Sequence, residues 1–393
     1  MRVCPLRELQ PGMILGKSLF TENGQLLLRA GYPLDQEVLR RLIATGRSSV
    51  YILEDGTEEI IPTELISDEV RSRATQAFSH TAGRIAEAAS YRPDVPPDKL
   101  RQVIARGAEY RNVVDVDRVS SEITSVVDEI LDSSADVLDQ TLMKSRAGYD
   151  GEHAMDTTLI SLLIGRRLLL TRSELTELGT AAFLHDLGKL VLPALAAKPP
   201  AEYSEEEHLL MREHPVFGQQ LLAGSTDRYF MARTAILHHH ERQDGLGYPL
   251  GLRGDNSRPA LNGRDSSKFI FALAEIIAVA DAYDNLISHR SSAPASPDQA
   301  IRELARNATS AYNSEVVALL AEVISVFPTG SVVRVAECDD SHLIGWVGTI
   351  MKPNRETPHH PILVLIRDLN GRKATPRTVD LAAEKYVRLE MIL

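Results

Sequence analysis

The segment Ala181-Ala182-Phe183-Leu184-His185-Asp186-Leu187-Gly188-Lys189 is the stretch on which the rest of the chain depends. It places a histidine beside an aspartate at the end of an apolar helical run. Adjacent side chains on a helix point about 100° apart, so His185 and Asp186 can converge only on something between them, such as a metal ion. An unpaired buried carboxylate is unfavourable, and a cation would remove that cost. A helix end with two solvated side chains is the alternative, and the dipeptide alone does not decide.

The composition is that of an ordinary globular protein. The 393 residues are 44% apolar and 25% charged, which predicts two or three domains with a sizeable core. The net charge of −11 argues against general binding to DNA, RNA or anionic membranes. Cys4 and Cys338 form no CxxC pair, so neither a disulfide framework nor a zinc ribbon is expected and a reducing cytoplasm is favoured. We expect no signal peptide and no membrane span.

Hydrophobic periodicity predicts a mainly α protein with a small β-rich unit on each side of a helical bundle. Residues 1–64 read as the first β-rich unit, with Asn23-Gly24 as its hairpin signal. Residues 65–144 follow helical spacing and form a connector. Residues 145–326 form the bundle, and residues 327–393 return to a period of two, which is typical of a small antiparallel β domain. Capping boxes that start bundle helices are predicted at Thr171, Ser204 and Ser296.

Candidate metal ligands are concentrated in the bundle segment. Seven of the twelve histidines lie between His153 and His240. Asp281 stands inside an apolar helical stretch, where a buried carboxylate requires a partner. Imidazole and carboxylate donors without sulfur suit Fe, Mn, Ni, Co or Zn and leave the identity open. The His359-His360 pair has no nearby acid or cysteine, so we do not predict a metal site there. The candidates are His153, His185, Asp186, His214, His238, His239, His240 and Asp281.

Four motifs carry a family resemblance. They are His185-Asp186-x-x-Lys189, His214-Pro215, His239-His240-Glu241-x-x-Asp244-Gly245-x-Gly247-Tyr248-Pro249 and Ala280-Asp281-Ala282-Tyr283-Asp284. Their order and approximate spacing closely resemble the HD-GYP branch of HD-domain phosphohydrolases over roughly residues 145–325. The resemblance implies an HD-type helical bundle that hydrolyses cyclic di-GMP to pGpG, and onward to GMP as a further option, with a dinuclear-metal-activated hydroxide.

The resemblance also implies a ligand set. Both ions would be divalent, with iron or manganese as the first candidates. One ion would be held by His153, His185, Asp186 and Asp281. The other would be held by His214, His239 and His240, with Asp186 bridging the two. A Glu that binds a third ion in some members is replaced here by Tyr149, so two ions are expected, although Asp150 and Glu152 lie close by. His238 is expected to support the site without binding a metal.

The implied substrate contacts are fewer. Lys189, with Asp186, is the expected catalytic pair, since Lys189 lies one helical turn past His185 and can reach the hydroxide or a phosphate oxygen. Arg290 and Tyr248 are expected to contact the substrate. The remaining motif residues would orient the ligands or shape a loop that also docks partners such as GGDEF-type cyclases. They are Glu241, Asp244, Gly245, Gly247 and Pro249.

The sequence also departs from the family pattern. Ala293 stands where a phosphate-binding Lys is expected, and Glu275 stands where an Arg often precedes the last Asp. Residues 255–268 read as an insertion. The metal site is therefore expected to be complete and the substrate grip weakened. This leaves open a metal-bound, weakly active or inactive module that binds cyclic di-GMP or partner proteins, and a hydrolase for another cyclic dinucleotide. A homodimer is compatible with the sequence.

Overall fold

A helical bundle occupies the middle of the chain, and a small β unit lies on each side of it in sequence, which confirms the predicted fold class. Among the described residues, no helix combines the length and the apolar character that crossing a bilayer requires. The computed structural model describes residues 1–21, 25–45, 47, 49–90, 97–135, 137–139, 149–223, 229–261, 267–288, 295–354 and 356–392.

The N-terminal unit contains two small antiparallel sheets and one helix. Its three-stranded sheet has the order β1-β5-β2, and β3 pairs with β4. The predicted hairpin residues Asn23 and Gly24 fall between β3 and β4 but lie outside the described residues. The elements are β1 (Arg2–Pro5), β2 (Ile14–Leu15), β3 (Leu19–Phe20), β4 (Leu26–Leu28), α1 (Gln36–Ala44) and β5 (Ser49–Leu53).

The connector and the bundle share one hydrophobic core. A single cluster of buried side chains extends from Leu65 to Ile324 and includes the apolar stripe of the connector helix α4. The predicted boundary at residue 144 lies outside the described residues and stays a prediction. The helices are α2 (Asp68–Ser90), α3 (Pro97–Arg106), α4 (Val116–Asp132), α5 (Tyr149–Arg167), α6 (Arg172–Leu184), α7 (Pro193–Ala196), α8 (Glu205–Met211), α9 (His214–Leu221), α10 (Phe230–His238), α11 (Ala272–Ile287), α12 (Pro297–Arg306) and α13 (Ser314–Val323).

Local sequence signals set where three of these helices begin. Thr171, Ser204 and Ser296 each cap a helix in a complete capping box, as predicted, at the start of α6, α8 and α12. The start of α6 matters most, because this helix then runs through buried apolar residues to Leu184. Its end therefore places His185 and Asp186 at the centre of the bundle.

The C-terminal unit is a five-stranded antiparallel sheet with the order β10-β6-β7-β8-β9. The period-two pattern predicts strands over residues 331–336, 343–351, 361–367 and 386–393, which correspond to four of the five, and it misses β9. This strand reads Lys-Ala-Thr-Pro-Arg-Thr-Val-Asp and is largely exposed at the sheet edge, where proline and polar residues are tolerated. The strands are β6 (Val332–Cys338), β7 (Val347–Lys352), β8 (Ile362–Arg367), β9 (Lys373–Asp380) and β10 (Val387–Met391).

The two β units contact each other. Ile60, which follows the N-terminal sheet, is buried against Val364 and Ile366 of β8. Lys373 forms an ion pair with Asp55 at 3.1 Å. The segment before β6 also bonds to the bundle, because Thr329 donates hydrogen bonds from its amide and hydroxyl to Asp139. The two flanking units therefore contact each other, and the C-terminal one is also bonded to the helical part of the chain.

Candidate metal centre

Three candidate histidines lie where a helix ends or begins, and each is oriented in the same way. His185 and His239 are the C-caps of α6 and α10, and His214 begins α9. The Nδ1 of each donates a hydrogen bond to the carbonyl three residues earlier. Because a carbonyl can only accept, Nδ1 carries the proton and Nε2 keeps a free lone pair. The accepting carbonyls are those of Ala182, Met211 and Ile236, at 2.7, 2.7 and 2.6 Å.

One candidate group joins three helices. His153 of α5, His185 and Asp281 of α11 are all buried. The Nε2 of His153 lies 3.2 Å from Asp281 Oδ1 and 3.3 Å from His185 Nε2, and His185 Nε2 lies 3.6 Å from the same Asp281 oxygen. Asn285 donates a hydrogen bond to Asp281 at 2.7 Å and so holds this carboxylate in place.

The second group consists of Asp186, His214, His239 and His240. The Nε2 of His214 lies 3.3 Å from Asp186 Oδ1, and that of His239 lies 3.8 Å from it. The two ring nitrogens are themselves 3.3 Å apart. As in the first group, the ligand atoms all lie within 4.8 Å of one another, which is the spacing of donors around a single ion.

Asp186 stands between the two groups. Its Oδ1 faces His214 and His239, while its Oδ2 lies 3.6 Å from His153 Nε2 and 3.5 Å from His185 Nε2. No other carboxylate among the described residues belongs to one group and also approaches the other group's histidines through its second oxygen. The side chain therefore has the geometry that a bridging ligand needs.

The arrangement is unfavourable unless a cation occupies it. The lone pairs of the neutral His214 and His239 rings face Asp186 Oδ1, so acceptors face an acceptor across 3.3–3.8 Å. Among the described residues, Asp186 Oδ1 is buried without a hydrogen-bond donor. Divalent ions bound by nitrogen and oxygen donors would satisfy every one of these atoms. The residues present thus fit a pair of metal ions.

The electrostatics of the site favour the ligand forms of its histidines. Burial lowers the pKa of His240 to about 3 and holds the pKa of His239 well below its usual value, so both rings are neutral at pH 7. Burial also opposes the charged form of His153, but hydrogen bonds to Asp281 and Asp284 outweigh it and raise its pKa to about 9. That position therefore attracts positive charge, and a metal ion at Nε2 would replace the proton.

Asp284 is a supporting residue that the sequence interpretation missed. Its Oδ2 accepts a hydrogen bond from His153 Nδ1 at 2.6 Å, and the carboxylate is fully buried. A carboxylate behind a ligating imidazole fixes the tautomer and raises the basicity of the other nitrogen. The signal was available, because Asp284 follows Asp281 by three residues and therefore lies on the same face of α11.

Lys189 points back at the centre. Its ammonium group donates a hydrogen bond to Asp186 Oδ2 at 2.5 Å, and its side chain is 24% exposed. Burial raises the pKa of Asp186, but Lys189 and His185 outweigh this effect and hold the pKa well below its usual range. The lysine thus stabilises the charged Asp186 carboxylate and also lines the cavity beside it.

The loop after α10 is closed by Glu241. Its two carboxylate oxygens accept hydrogen bonds from the amides of Leu250 and Leu252, at 2.6 and 2.8 Å. Asp244 pairs with Arg242 at 2.7 Å and accepts from the amide of Leu246. The contacts described for both acids lie within the loop, so both hold its shape.

Glycine is required at two positions of this loop, for a different physical reason at each. Gly245 has a φ of +79°, a conformation that glycine adopts at least cost. A Cβ at Gly247 would lie 2.5 Å from the Cα of Glu241, so only glycine allows the backbone to fold back this closely. The peptide bond between Tyr248 and Pro249 is cis. The ring of Tyr248 stacks on His240, with the two centroids 4.8 Å apart.

A cavity of about 310 Å³ opens on the centre. The connector helix α2 contributes Phe78 to its wall, and the segment around α8 contributes Tyr203 and Arg212, none of which was predicted. No local signal marks them, because only tertiary packing brings these segments to the site. The lining residues are Phe78, His153, Asp186, Lys189, Leu190, Ala196, Pro200, Tyr203, His208, Met211, Arg212 and Tyr248.

Other predicted residues lie elsewhere. Arg290 and Ala293 are outside the described residues, as is the side chain of Asp150. Glu152 forms an ion pair with Arg47 at 3.1 Å and belongs to neither metal group. Glu275 is buried and accepts a hydrogen bond from Gln243.

His238 accepts a hydrogen bond from the amide of Phe271, at 3.3 Å. It belongs to neither candidate group, and its supporting role stays a prediction. The C-terminal pair His359 and His360 joins no metal group among the residues that the structure describes.

Comparisons with known proteins show a family and several relatives to which the chain is similar. The family model described as "HD domain" matches residues 126–316. The chain is 26% identical over 230 residues to a cyclic di-GMP phosphodiesterase of Pseudomonas aeruginosa, covering 58% of this chain and 52% of the relative. It is 38% identical over 129 residues to the cyclic di-GMP phosphodiesterase response regulator RpfG of Xanthomonas campestris, covering 33% of this chain and 31% of the relative.

A third relative carries a different substrate in its name. The chain is 28% identical over 188 residues to 3'3'-cGAMP-specific phosphodiesterase 3 of Vibrio cholerae, covering 48% of this chain and 38% of the relative. The chain thus spans about half, or less, of the length of these curated relatives. Residues 126–316 therefore form an HD domain, and the similarity to these relatives, together with the long His239–Pro249 motif, supports an HD-GYP family protein.

Proposed function

We propose that the protein is a metal-dependent phosphodiesterase that hydrolyses cyclic di-GMP, and that the two residue groups would hold two divalent ions with Asp186 shared between them. The observation that supports this most directly is the position of Asp186, with one oxygen toward each histidine group. The names of two relatives supply the substrate. Iron or manganese is the preferred metal, with nickel, cobalt or zinc as the other candidates for a site of nitrogen and oxygen donors.

The ligand residues follow from the two groups. His153, His185 and Asp281 would hold one ion, Asp186 would share it, and the second group of histidines would hold the other. When bound, a pair of divalent ions supplies an activated water at neutral pH and compensates the charge on the phosphoryl oxygens. The residues of the chain set the geometry in which that water meets the phosphate. The proposed ligands of the second ion, besides Asp186, are His214, His239 and His240.

Side chains around the ions would contact the substrate. The Lys189 ammonium, held beside Asp186 at the open side, is positioned to donate a hydrogen bond to a phosphoryl oxygen as negative charge grows there. Tyr248 closes one side of the cavity and offers an aromatic surface near His240. Hydrolysis of one ester bond gives linear pGpG, and hydrolysis of the second gives GMP.

A second candidate substrate is supported by the name of the Vibrio cholerae relative, which is specific for 3'3'-cGAMP. Cyclic dinucleotides share two phosphodiesters and differ in their bases. The metal centre by itself would therefore not distinguish them, and the choice depends on the walls of the cavity. The alternative of a binding module with negligible turnover rests on Ala293 in the sequence.

The proposals on partners rest on fewer observations. The loop of residues 241–252, here called the GYP loop, carries two exposed leucines, Leu246 (78% exposed) and Leu250 (55% exposed). Such apolar side chains favour docking of another protein, such as a GGDEF-type cyclase. A homodimer and a cytoplasmic location stay predictions.

The test is a product assay on protein purified anaerobically with its metals retained. Cyclic di-GMP is incubated with protein loaded with Fe(II), Mn(II), Ni(II) or Co(II), and the nucleotides are separated by chromatography, with 3'3'-cGAMP in parallel. We expect pGpG from wild type and from Asp132→Asn, an exposed control at the end of α4, and a loss of at least about a hundredfold in Asp186→Asn. Absence of hydrolysis with every metal would refute the enzymatic proposal. Tight binding of intact cyclic di-GMP in that case would identify the binding module.

A further inference from the structure

We infer that Arg212 is the residue that binds the second, uncleaved phosphodiester of the cyclic dinucleotide; this rests on the proposed function. The family resemblance implies that phosphate-binding residues lie near Arg290. In this sequence Ala293 stands where the lysine of that group is expected. Arg212 lies in a different segment, at the C-terminal end of α8 and two residues before His214.

Arg212 lies beside the candidate metal centre. The guanidinium carbon of Arg212 lies over the Tyr248 ring, 5.4 Å from its centroid. Tyr248 in turn stacks on His240, a proposed ligand. Two ring contacts therefore connect Arg212 to the candidate metal centre. Arg212 and Tyr248 both line the cavity that opens on this centre. This arrangement places a cation beside the site without making it a part of the metal coordination.

Charge is the second argument. A cyclic dinucleotide brings two negative phosphodiesters, and the two ions compensate only the one that is cleaved. Lys189 is engaged with Asp186. Arg212 forms no ion pair with any described carboxylate, so its charge is available to a ligand. In a chain with a net charge of −11, such a local cation is what draws an anionic ligand to the cavity.

Chemistry is the third argument. A guanidinium presents five N–H donors in one plane, in a fork that matches two oxygens of a phosphate. When its face rests on an aromatic ring, its edges stay open for these bonds. A lysine at this place would supply the charge but not the fork. The Tyr248 ring thus orients Arg212, and the guanidinium fixes where the second phosphodiester lies.

The experiment compares Arg212→Gln and Arg212→Lys with wild type and with Arg118→Gln, an exposed arginine of α4 away from the cavity lining. Steady-state hydrolysis of cyclic di-GMP, metal content and binding of cyclic di-GMP to the metal-free protein are measured for each. Losing a charged hydrogen-bond pair should raise KM by about 10- to 100-fold in Arg212→Gln. We expect kcat and metal content to change by less than about threefold, since the removed interaction is equally strong in the bound substrate and in the transition state.

Further readouts separate binding from a structural role. Arg212→Lys should recover part of the affinity, because it restores the charge alone. The KM of Arg212→Gln should also depend less on salt than that of wild type, because a screened charge has been removed. Bis(p-nitrophenyl) phosphate, which has no second phosphate, should be hydrolysed by wild type and Arg212→Gln at rates within about twofold, because only the second phosphodiester would need Arg212.

The outcomes are distinct. An unchanged KM and binding constant in Arg212→Gln, with wild type active, would overturn the inference and leave the proposed function standing. Equal losses for both substrates would place the defect in the metal centre and would also overturn it. If wild type neither hydrolyses nor binds cyclic di-GMP, the proposed function fails and the inference fails with it.

Discussion

Replacement of Gly188 by alanine should damage one half of the metal centre selectively. Gly188 follows the His185-Asp186 pair in a 3-10 helical turn and is buried against the start of α9. An alanine Cβ there would lie 1.9 Å from the carbonyl oxygen of His214 and 2.7 Å from the amide of Gly218. Both obstructing atoms are backbone atoms, so no side-chain rotation can relieve the overlap.

The magnitude follows from that overlap. Carbon atoms of real side chains essentially never approach closer than 3.0 Å, so α9 must move away by about 1 Å. Metal–ligand distances tolerate about 0.2 Å. A shift of about 1 Å at His214 should therefore release the ion held by His214, His239 and His240, while His153, His185 and Asp281 keep theirs. Overpacking costs about 1–3 kcal/mol, and we expect the upper end because the backbone itself must shift.

The assay combines metal analysis with urea unfolding. We expect Gly188→Ala to retain about one ion per chain where wild type retains about two, and to lose about 3 kcal/mol of unfolding free energy. Gly83→Ala is the matched control, because it lies within α2 and its Cβ would meet nothing within 4 Å. That control should be stabilised by about 0.5–1 kcal/mol. Wild-type metal content together with unchanged stability in Gly188→Ala would refute the reasoning.

Three further predictions concern other parts of the molecule. Asp284→Asn should weaken metal binding by about 10- to 100-fold in a chelator competition, because His153 loses its carboxylate, and an unchanged affinity would contradict this role. Lys189→Gln should lower kcat by about a hundredfold or more at unchanged metal content, and wild-type kcat would exclude a catalytic role for the lysine. Burial raises the pKa of Asp139, so the folded state binds its proton more tightly than the unfolded chain does. Wild type should therefore gain stability relative to Asp139→Asn as the pH falls from about 6 to about 4, in paired urea titrations, and the opposite slope would refute the assignment.

The parts of the fold that sequence predicted are those fixed by local physics. Capping boxes fix where α6, α8 and α12 begin, because a cap satisfies amides within its own turn. The edge strand β9 was missed for the opposite reason: exposed polar residues there pair with β8 only because the rest of the sheet is present. The packing of Ile60 on the C-terminal sheet was likewise beyond local reasoning, since more than 300 residues separate the partners.

The candidate site divides in the same way. Motif spacing brought out all seven proposed ligands, and the structure gathers them into two groups, although their binding of metal stays a prediction. What spacing could not give is the orientation of each ring. The carbonyls that hold His185, His214 and His239 become available only because a helix ends or begins at each of these positions. Orientation therefore depends on helix boundaries, and these depend on packing.

Arg212 bears on the weaker substrate binding that the sequence predicts. Along the chain, Ala293 in place of the expected lysine predicts weaker substrate binding, because the family resemblance implies phosphate contacts after Asp281. Read in space, the end of α8 supplies Arg212 to the cavity that Asp186 faces, over a tyrosine fixed by the GYP loop. A phosphate needs a planar cation at a given point and not at a given position in the sequence. A substrate grip can thus be lost from one segment and provided by another without any change at the metal centre.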